Sequence, residues 1–119
     1  MKTQKKPWGS EKIIFKKYGI QFKILRINKG EETSLQYHKH KTEAIVPLDN
    51  NAFIEYSSIV DFENKEKPRR VRLIKGVAYI INYMHVHRFV AGEENTQLAE
   101  LSNGSDEDII RLDDKYGRK

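Results

Sequence analysis

Cysteine is absent from all 119 residues, which excludes disulfides and any thiolate metal site. Long apolar runs are missing too. No stretch approaches the roughly 20 residues that a membrane-spanning helix needs, so no membrane partner is expected. The opening MKTQKKPWGS is charged but has no apolar core, so it does not read as a secretory signal, and the expected compartment is the cytoplasm. Internal repeats and low-complexity linkers are not found. What remains, 38% apolar and 33% charged residues, suits one soluble domain over 1–119 with one modest core. The net charge is +5, but its cations are scattered: Lys5-Lys6, Lys16-Lys17, and a run from Lys65 to Lys75. No helix-turn-helix, zinc-finger or RNA-binding text accompanies them, so nucleic acid is not an expected partner.

Histidine is scarce but ordered. All four fall in two His-x-His pairs, His38-Lys39-His40 and His85-Val86-His87. Residues two apart on a strand share a face, so each pair can present two imidazoles to one surface. Glu43 follows the first pair closely. Imidazoles and a carboxylate together suit zinc, manganese, iron, nickel or copper, and the alternative is a set of ordinary surface or core histidines. Lys39 and Lys41 interleave the first pair; a basic mouth beside a metal would attract a small anion such as a sugar phosphate.

The rest reads as short strands between turn signals. Strand text covers Ile13–Phe15, Ile20–Asn28, Thr33–His40, Ala44–Leu48, Ala52–Tyr56, Val71–Ile74, Val77–Ile81, His87–Val90 and Gln97–Leu101. Turns are expected at Tyr18-Gly19 and Lys29-Gly30-Glu31. Asp49-Asn50-Asn51 reads as a hairpin turn using the left-handed tolerance of Asn. Pro47 inside a strand suggests an edge or bulge. The charged stretch 64–69 looks like an exposed loop. Ser105–Asp113 is the one helical expectation, with Ser105 or Asp106 as its cap. Many short strands indicate a sandwich or barrel.

The spacing resembles the cupin superfamily. Gly30, His38-x-His40, Glu43 and a turn at Asn50 look like its first motif; Gly76 with His87 eleven residues on looks like its second. A narrower likeness runs through Pro7-Trp8-Gly9-Ser10, Gln36-Tyr37-His38-Lys39-His40-Lys41-Thr42-Glu43, His87-Arg88 and the closing Tyr116-Gly117-Arg118. Together they resemble the type II mannose-6-phosphate isomerase cupin, which often follows a GDP-mannose pyrophosphorylase in one chain. No nucleotidyltransferase portion or Gly-rich nucleotide loop is seen, so a free-standing cupin is expected.

The resemblance implies an all-β double-stranded β-helix (jelly roll), here with a short C-terminal helical segment. It implies one divalent ion on His38, His40, Glu43 and His87, with zinc first and manganese, nickel or iron as alternatives. Glu43 lies at an odd offset from His40, so a bend at Lys41-Thr42 is needed to bring it round. The implied reaction is an aldose–ketose isomerisation of a sugar phosphate, which needs a base and an anion clamp. His85 is the candidate base, Lys41 and Arg88 candidate phosphate contacts, and Gln36 a residue that orients substrate or ligand. Arg88 also reads as a surface residue, because it alternates with His87. Trp8 reads as a packing anchor and Arg111 as a brace for the barrel.

Where the family has arginine this chain has Lys41, which keeps the charge but loses the bidentate fork, so arginine at 41 would be expected to strengthen the grip. Ala44-Ile45 replace a His-Trp pair, and Asn82 and Met84 replace a proline and a glycine. Alternatives are a metal cupin with another small-molecule reaction, such as an epimerase or oxygenase, and a non-catalytic module binding a sugar or nucleotide sugar. A homodimer is expected, using the N-terminal strand or the C-terminal tail to cover exposed strand edges.

Overall fold

The computed structural model describes residues 2–104 and 106–118. Its first element is a hairpin of β1 (Lys2–Lys6) and β2 (Gly9–Lys17), paired across Pro7-Trp8. Glycine is required at position 9, because a Cβ there would stand 1.9 Å from the Arg26 carbonyl oxygen. That close approach seats Trp8 in the core, 4% exposed, with its carbonyl accepting from Asn28 N. Tyr18 and Gly19 both take positive φ, 57° and 74°, as a two-residue primed turn demands. They join β2 to β3 (Ile20–Ile27).

Next come β4 (Leu35–His38), β5 (Glu43–Pro47), β6 (Ala52–Ser58), the one-turn helix α1 (Ile59–Glu63) and β7 (Arg69–Arg72). β8 (Tyr79–Ile81), β9 (His85–Ala91), β10 (Thr96–Asn103) and β11 (Ile109–Asp113) complete the described strands. One sheet has the order β1-β2-β3-β10-β5-β8 and the other β11-β4-β9-β6-β7, with antiparallel neighbours throughout. From β3 onward the chain crosses back and forth between the sheets, which is the architecture of a jelly roll. The core lies between them, around Leu25, Ile27, Ile45, Leu98, Ile54 and Phe89.

β3 alternates cleanly. Gln21, Lys23, Leu25 and Ile27 are buried, while Ile20, Phe22 and Arg26 lie on the outer face. The face with two polar residues is the inward one, and that places Lys23 inside the sandwich.

Four expectations change. The helix expected over Ser105–Asp113 is a single 3-10 turn, Asp106–Asp108, followed by β11. Ile109, Ile110 and Arg111 instead pair with His38, Tyr37 and Gln36 of β4; tertiary pairing outweighs local helix signals. Ser105, the proposed cap, lies outside the described residues, as does the side chain of Asp106. The turn at Asp49-Asn50-Asn51 is no hairpin, because β5 and β6 lie in different sheets. Neither Asn has positive φ; Asp49 holds the corner by accepting from Asn51 N and Gln97 N. The strand expected to reach His40 stops at His38. Pro47 is buried at the end of β5, beyond the last pairing with β8, where a missing N–H disturbs no ladder. No helix among the described residues is long and apolar enough to cross a membrane.

Candidate metal centre and cavity

His38 ends β4 and His87 lies on β9; Gln36, two residues before His38, pairs directly with His87. Both imidazoles therefore project from the same face of the five-stranded sheet. Glu43 opens β5 in the facing sheet, opposite Ser102 and Ile81. Three ligating atoms meet between the layers. Glu43 Oε1 is 3.3 Å from His38 Nε2 and 3.3 Å from His87 Nε2, and all three residues are at most 3% exposed. Ligating atoms of this trio all lie within 4.8 Å of one another.

The outer nitrogens decide what the inner ones present. His38 Nδ1 lies 2.9 Å from Asp108 Oδ1, and His87 Nδ1 lies 3.0 Å from the His85 carbonyl oxygen. Ionised carboxylates and carbonyls only accept, so each Nδ1 carries the proton and each Nε2 turns its lone pair inward. Among the described residues, Glu43 Oε1 and His87 Nε2 have no hydrogen-bond partner. Three inward-facing lone pairs need a cation between them, either an added proton or a metal ion. Two ligands about 2.1 Å from one zinc at the tetrahedral angle stand about 3.4 Å apart, so the 3.3 Å separations fit a metal. The histidine–carboxylate contact behind His38 is the usual support of a metal-binding imidazole. Burial works against charge on Glu43, but where an added proton on the imidazoles takes the place of the ion, the contacts from His38 and His87 and the nearby Lys41 outweigh it, holding the carboxyl well below the usual carboxylate range.

The fourth expected ligand is not brought in. His40 is exposed on the bend after β4, and its backbone N–H donates to Asp108 Oδ2 at 2.7 Å. The centre is thus two histidines and one carboxylate. His85 and His87 share a face by register, opposite Ser58 and Tyr56, yet they part company. His87 is buried. His85 is exposed in a separate apolar groove with Tyr56, Tyr79 and Ile80. Arg88 is on the other face of β9, bound to Glu55 at 2.6 Å and Glu32 at 3.0 Å, away from the centre. Alternation decides this against a substrate role.

Beside the trio lies a cavity of about 270 Å³. His38, Glu43, Gln36 and Lys41 line it, as expected of them, with Trp8, Leu25 and Phe89 as its apolar wall. Gln36 Nε2 is 3.5 Å from His38 Nε2, and its Oε1 accepts from Ser34 Oγ. Lys41 is not at a mouth: it is 3% exposed, with its ammonium 3.2 Å from Glu100 Oε1.

Several cavity residues escaped sequence reasoning. Lys23 lies 3.5 Å from Glu11, and Lys6 lies 3.8 Å from the same carboxylate. Glu100 is pushed up to about 8 by burial and by the charge of Glu43. Arg111 and Arg118 also line the cavity, so Arg111 does more than brace the barrel. Five cations therefore face three carboxylates. The signal for Glu100 was present: it alternates with Thr96, Leu98 and Ser102 on the buried face of β10. Nothing local signals Asp108, which is 70 residues from His38.

Two antiparallel sheets enclosing an inward-facing histidine–carboxylate centre have the cupin-type jelly-roll fold. No family model matches the chain. It is 26% identical over 117 residues to the alginate biosynthesis protein AlgA of Pseudomonas aeruginosa, an alignment covering 95% of this chain and 22% of AlgA. The chain thus spans about a fifth of that curated relative's length. Among solved structures, it is similar to the capsular polysaccharide assembling protein CapF from Staphylococcus aureus, with 14% identity and a TM-score of 0.80, covering 94% of this chain and 34% of CapF. A cupin 2 conserved barrel domain protein from Rhodopseudomonas palustris aligns at 13% identity with a TM-score of 0.65, over 81% of this chain and 61% of that one.

Proposed function

We propose that this chain is a metal-dependent cupin that interconverts the aldose and ketose forms of a phosphorylated hexose. The observation that carries the reading is the convergence of His38, Glu43 and His87, with His38 and Glu43 on the wall of a cation-rich cavity. Three protein ligands leave positions for substrate oxygens, as in catalytic rather than structural sites. When bound, the ion supplies Lewis-acid polarisation of a carbonyl or hydroxyl oxygen. Lys23, Lys41 and Arg111 favour an anionic substrate, while Gln36 orients it. Glu100, a carboxyl inside the same cavity, takes the proton-transfer role first expected of His85. A volume of about 270 Å³ is below the roughly 300–1,000 Å³ of drug-sized pockets, which favours a monosaccharide over a nucleotide sugar. The names of AlgA and CapF, for alginate biosynthesis and capsular polysaccharide assembly, agree with a carbohydrate substrate.

The test is metal analysis of the protein reconstituted with zinc, manganese, nickel or iron, followed by a mannose 6-phosphate/fructose 6-phosphate interconversion assay. Activity lost in His87→Ala and Glu100→Gln supports the reading. An inactive metal-loaded wild type ends it. One observation favours a second reading: with His40 turned away, the trio is the two-histidine, one-carboxylate set that suits non-haem iron. Oxygen uptake with iron alone would favour that oxygenase-type reaction. We place either enzyme in the cytoplasm. We propose a second copy as partner, because β1 is the outermost strand of its sheet.

A further inference from the structure

Asp108 belongs to neither histidine motif, yet its carboxylate touches three parts of the centre. Oδ1 lies 2.9 Å from His38 Nδ1. Oδ2 accepts the backbone N–H of His40 at 2.7 Å and of Lys41 at 3.1 Å. The side chain is 16% exposed, so these contacts compete little with water. The first contact requires the proton of His38 on Nδ1 and frees Nε2 to face Glu43. The other two hold the bend at which the chain leaves β4. That bend matters because Glu43 is five residues after His38, an odd offset that a straight strand would send to the opposite face. One carboxylate therefore orients one ligand and fixes the turn that delivers another.

We infer that Asp108 is the positioning residue of the metal centre and that, through it, docking of the C-terminal strand β11 is coupled to ion binding. The inference rests on the reading of His38, Glu43 and His87 as metal ligands. Asp108 directly precedes Ile109, which pairs with His38, so its carboxylate is in place only when β11 is docked. By linkage, whatever binds at the centre must then strengthen that docking in return.

The experiment uses the full chain and zinc as probe, with affinity read by competition against a chromogenic chelator. Asp108→Ala is expected to bind zinc about 10–100-fold more weakly than wild type. Asp108→Asn separates positioning from mere packing. Its side-chain oxygen can still accept from His40 N and Lys41 N, but its amide offers a hydrogen to His38 Nδ1. That drives the imidazole proton to Nε2, where it blocks the ligand lone pair. Long-range 15N–1H spectra of the metal-free protein should show the Nδ1–H tautomer of His38 in wild type and the Nε2–H tautomer in Asp108→Asn, which should also lose zinc affinity. Exchange of the amides in β11 should slow on adding zinc to wild type and respond less in either variant.

Wild-type zinc affinity in both variants, or an Nε2–H His38 in the wild type, overturns the proposal. Should Asp108→Ala fail to fold, Asp108→Asn decides it. A wild type that binds neither zinc nor another divalent ion overturns the metal reading itself, which is a different result from a wild type that binds and variants that bind equally.

Discussion

Lys41 holds its ammonium 3.2 Å from Glu100 in a pocket where both residues are at most 5% exposed. Burial and the charge of Glu43 favour the neutral form of Glu100, so the ammonium makes a charge-assisted hydrogen bond to it rather than a full ion pair, and removing Lys41 strips a buried carboxyl of that partner. Lys41→Met is expected to cost about 1–3 kcal/mol of stability, the scale for leaving a buried polar group without its partner. Lys41→Arg, which sequence reasoning favours as a better phosphate grip, should instead destabilise by about 1–3 kcal/mol, because a longer, branched head overfills an occupied space. Urea unfolding of both variants checks this; an Arg variant as stable as wild type would mean the pocket has slack. The same contrast runs through the histidines. His87 becomes buried and inward while His85, on the same face of the same strand, ends exposed. Spacing identifies which residues share a face, but not how far along that face the neighbouring sheet extends.

Elements are legible where their signal is local. Tyr18-Gly19, the alternation of β3 and the loop after α1 all follow from nearby residues. β11 does not, because its partner β4 lies some seventy residues earlier and outweighs acids that locally suit a helix. The hairpin of β1 and β2 turns on Gly9. Gly9→Ala forces a methyl to 1.9 Å from the Arg26 carbonyl oxygen of β3, so β2 and β3 must separate there. A loss above about 2 kcal/mol in urea unfolding is expected, in the range of backbone-strain substitutions.

The C-terminal tail after β11 is pinned by charge. Asp114 accepts from Arg118 Nε at 2.9 Å and from Arg118 Nη2 at 3.1 Å, and the Tyr116 hydroxyl donates to Glu31. The Arg118 guanidinium holds the Asp114 carboxyl below its ordinary range against the opposing effect of burial. A depressed carboxyl stabilises the fold above its unfolded value and loses that contribution as pH falls through the folded one. The turn that Asp114 and Arg118 close within the tail should therefore loosen below about pH 4. Asp114→Asn should cost about 1 kcal/mol near pH 7 and progressively less as pH falls below about 4, measurable as a pH series of unfolding midpoints.

At the scale of the molecule, an ion bridging His38 and His87 of one sheet and Glu43 of the other ties the two layers together. Binding to the folded state alone stabilises it by about 2.7 kcal/mol when free ion is 100 times Kd. For a chain of this size that is a rise in Tm on the order of 10 °C. Thermal melts with zinc, then with a chelator, should show the rise and its reversal, and His38→Ala should abolish it. A homodimer should give twice the 14.0 kDa chain mass by light scattering at micromolar concentration; a monomer mass removes that proposal.

The all-β architecture and the lack of thiol chemistry were determined by residue type and period-two spacing, and His38, Glu43 and His87 became ligand candidates through the two His-x-His pairs together with the cupin resemblance. Those signals are written in near neighbours. The sandwich itself decided the rest: that His40 faces away, that Lys41 is buried, and that Lys23, Glu100 and Asp108 join the centre. Each of these depends on which distant strand lies opposite, and that pairing is settled only when two complete sheets bury their inner faces against each other.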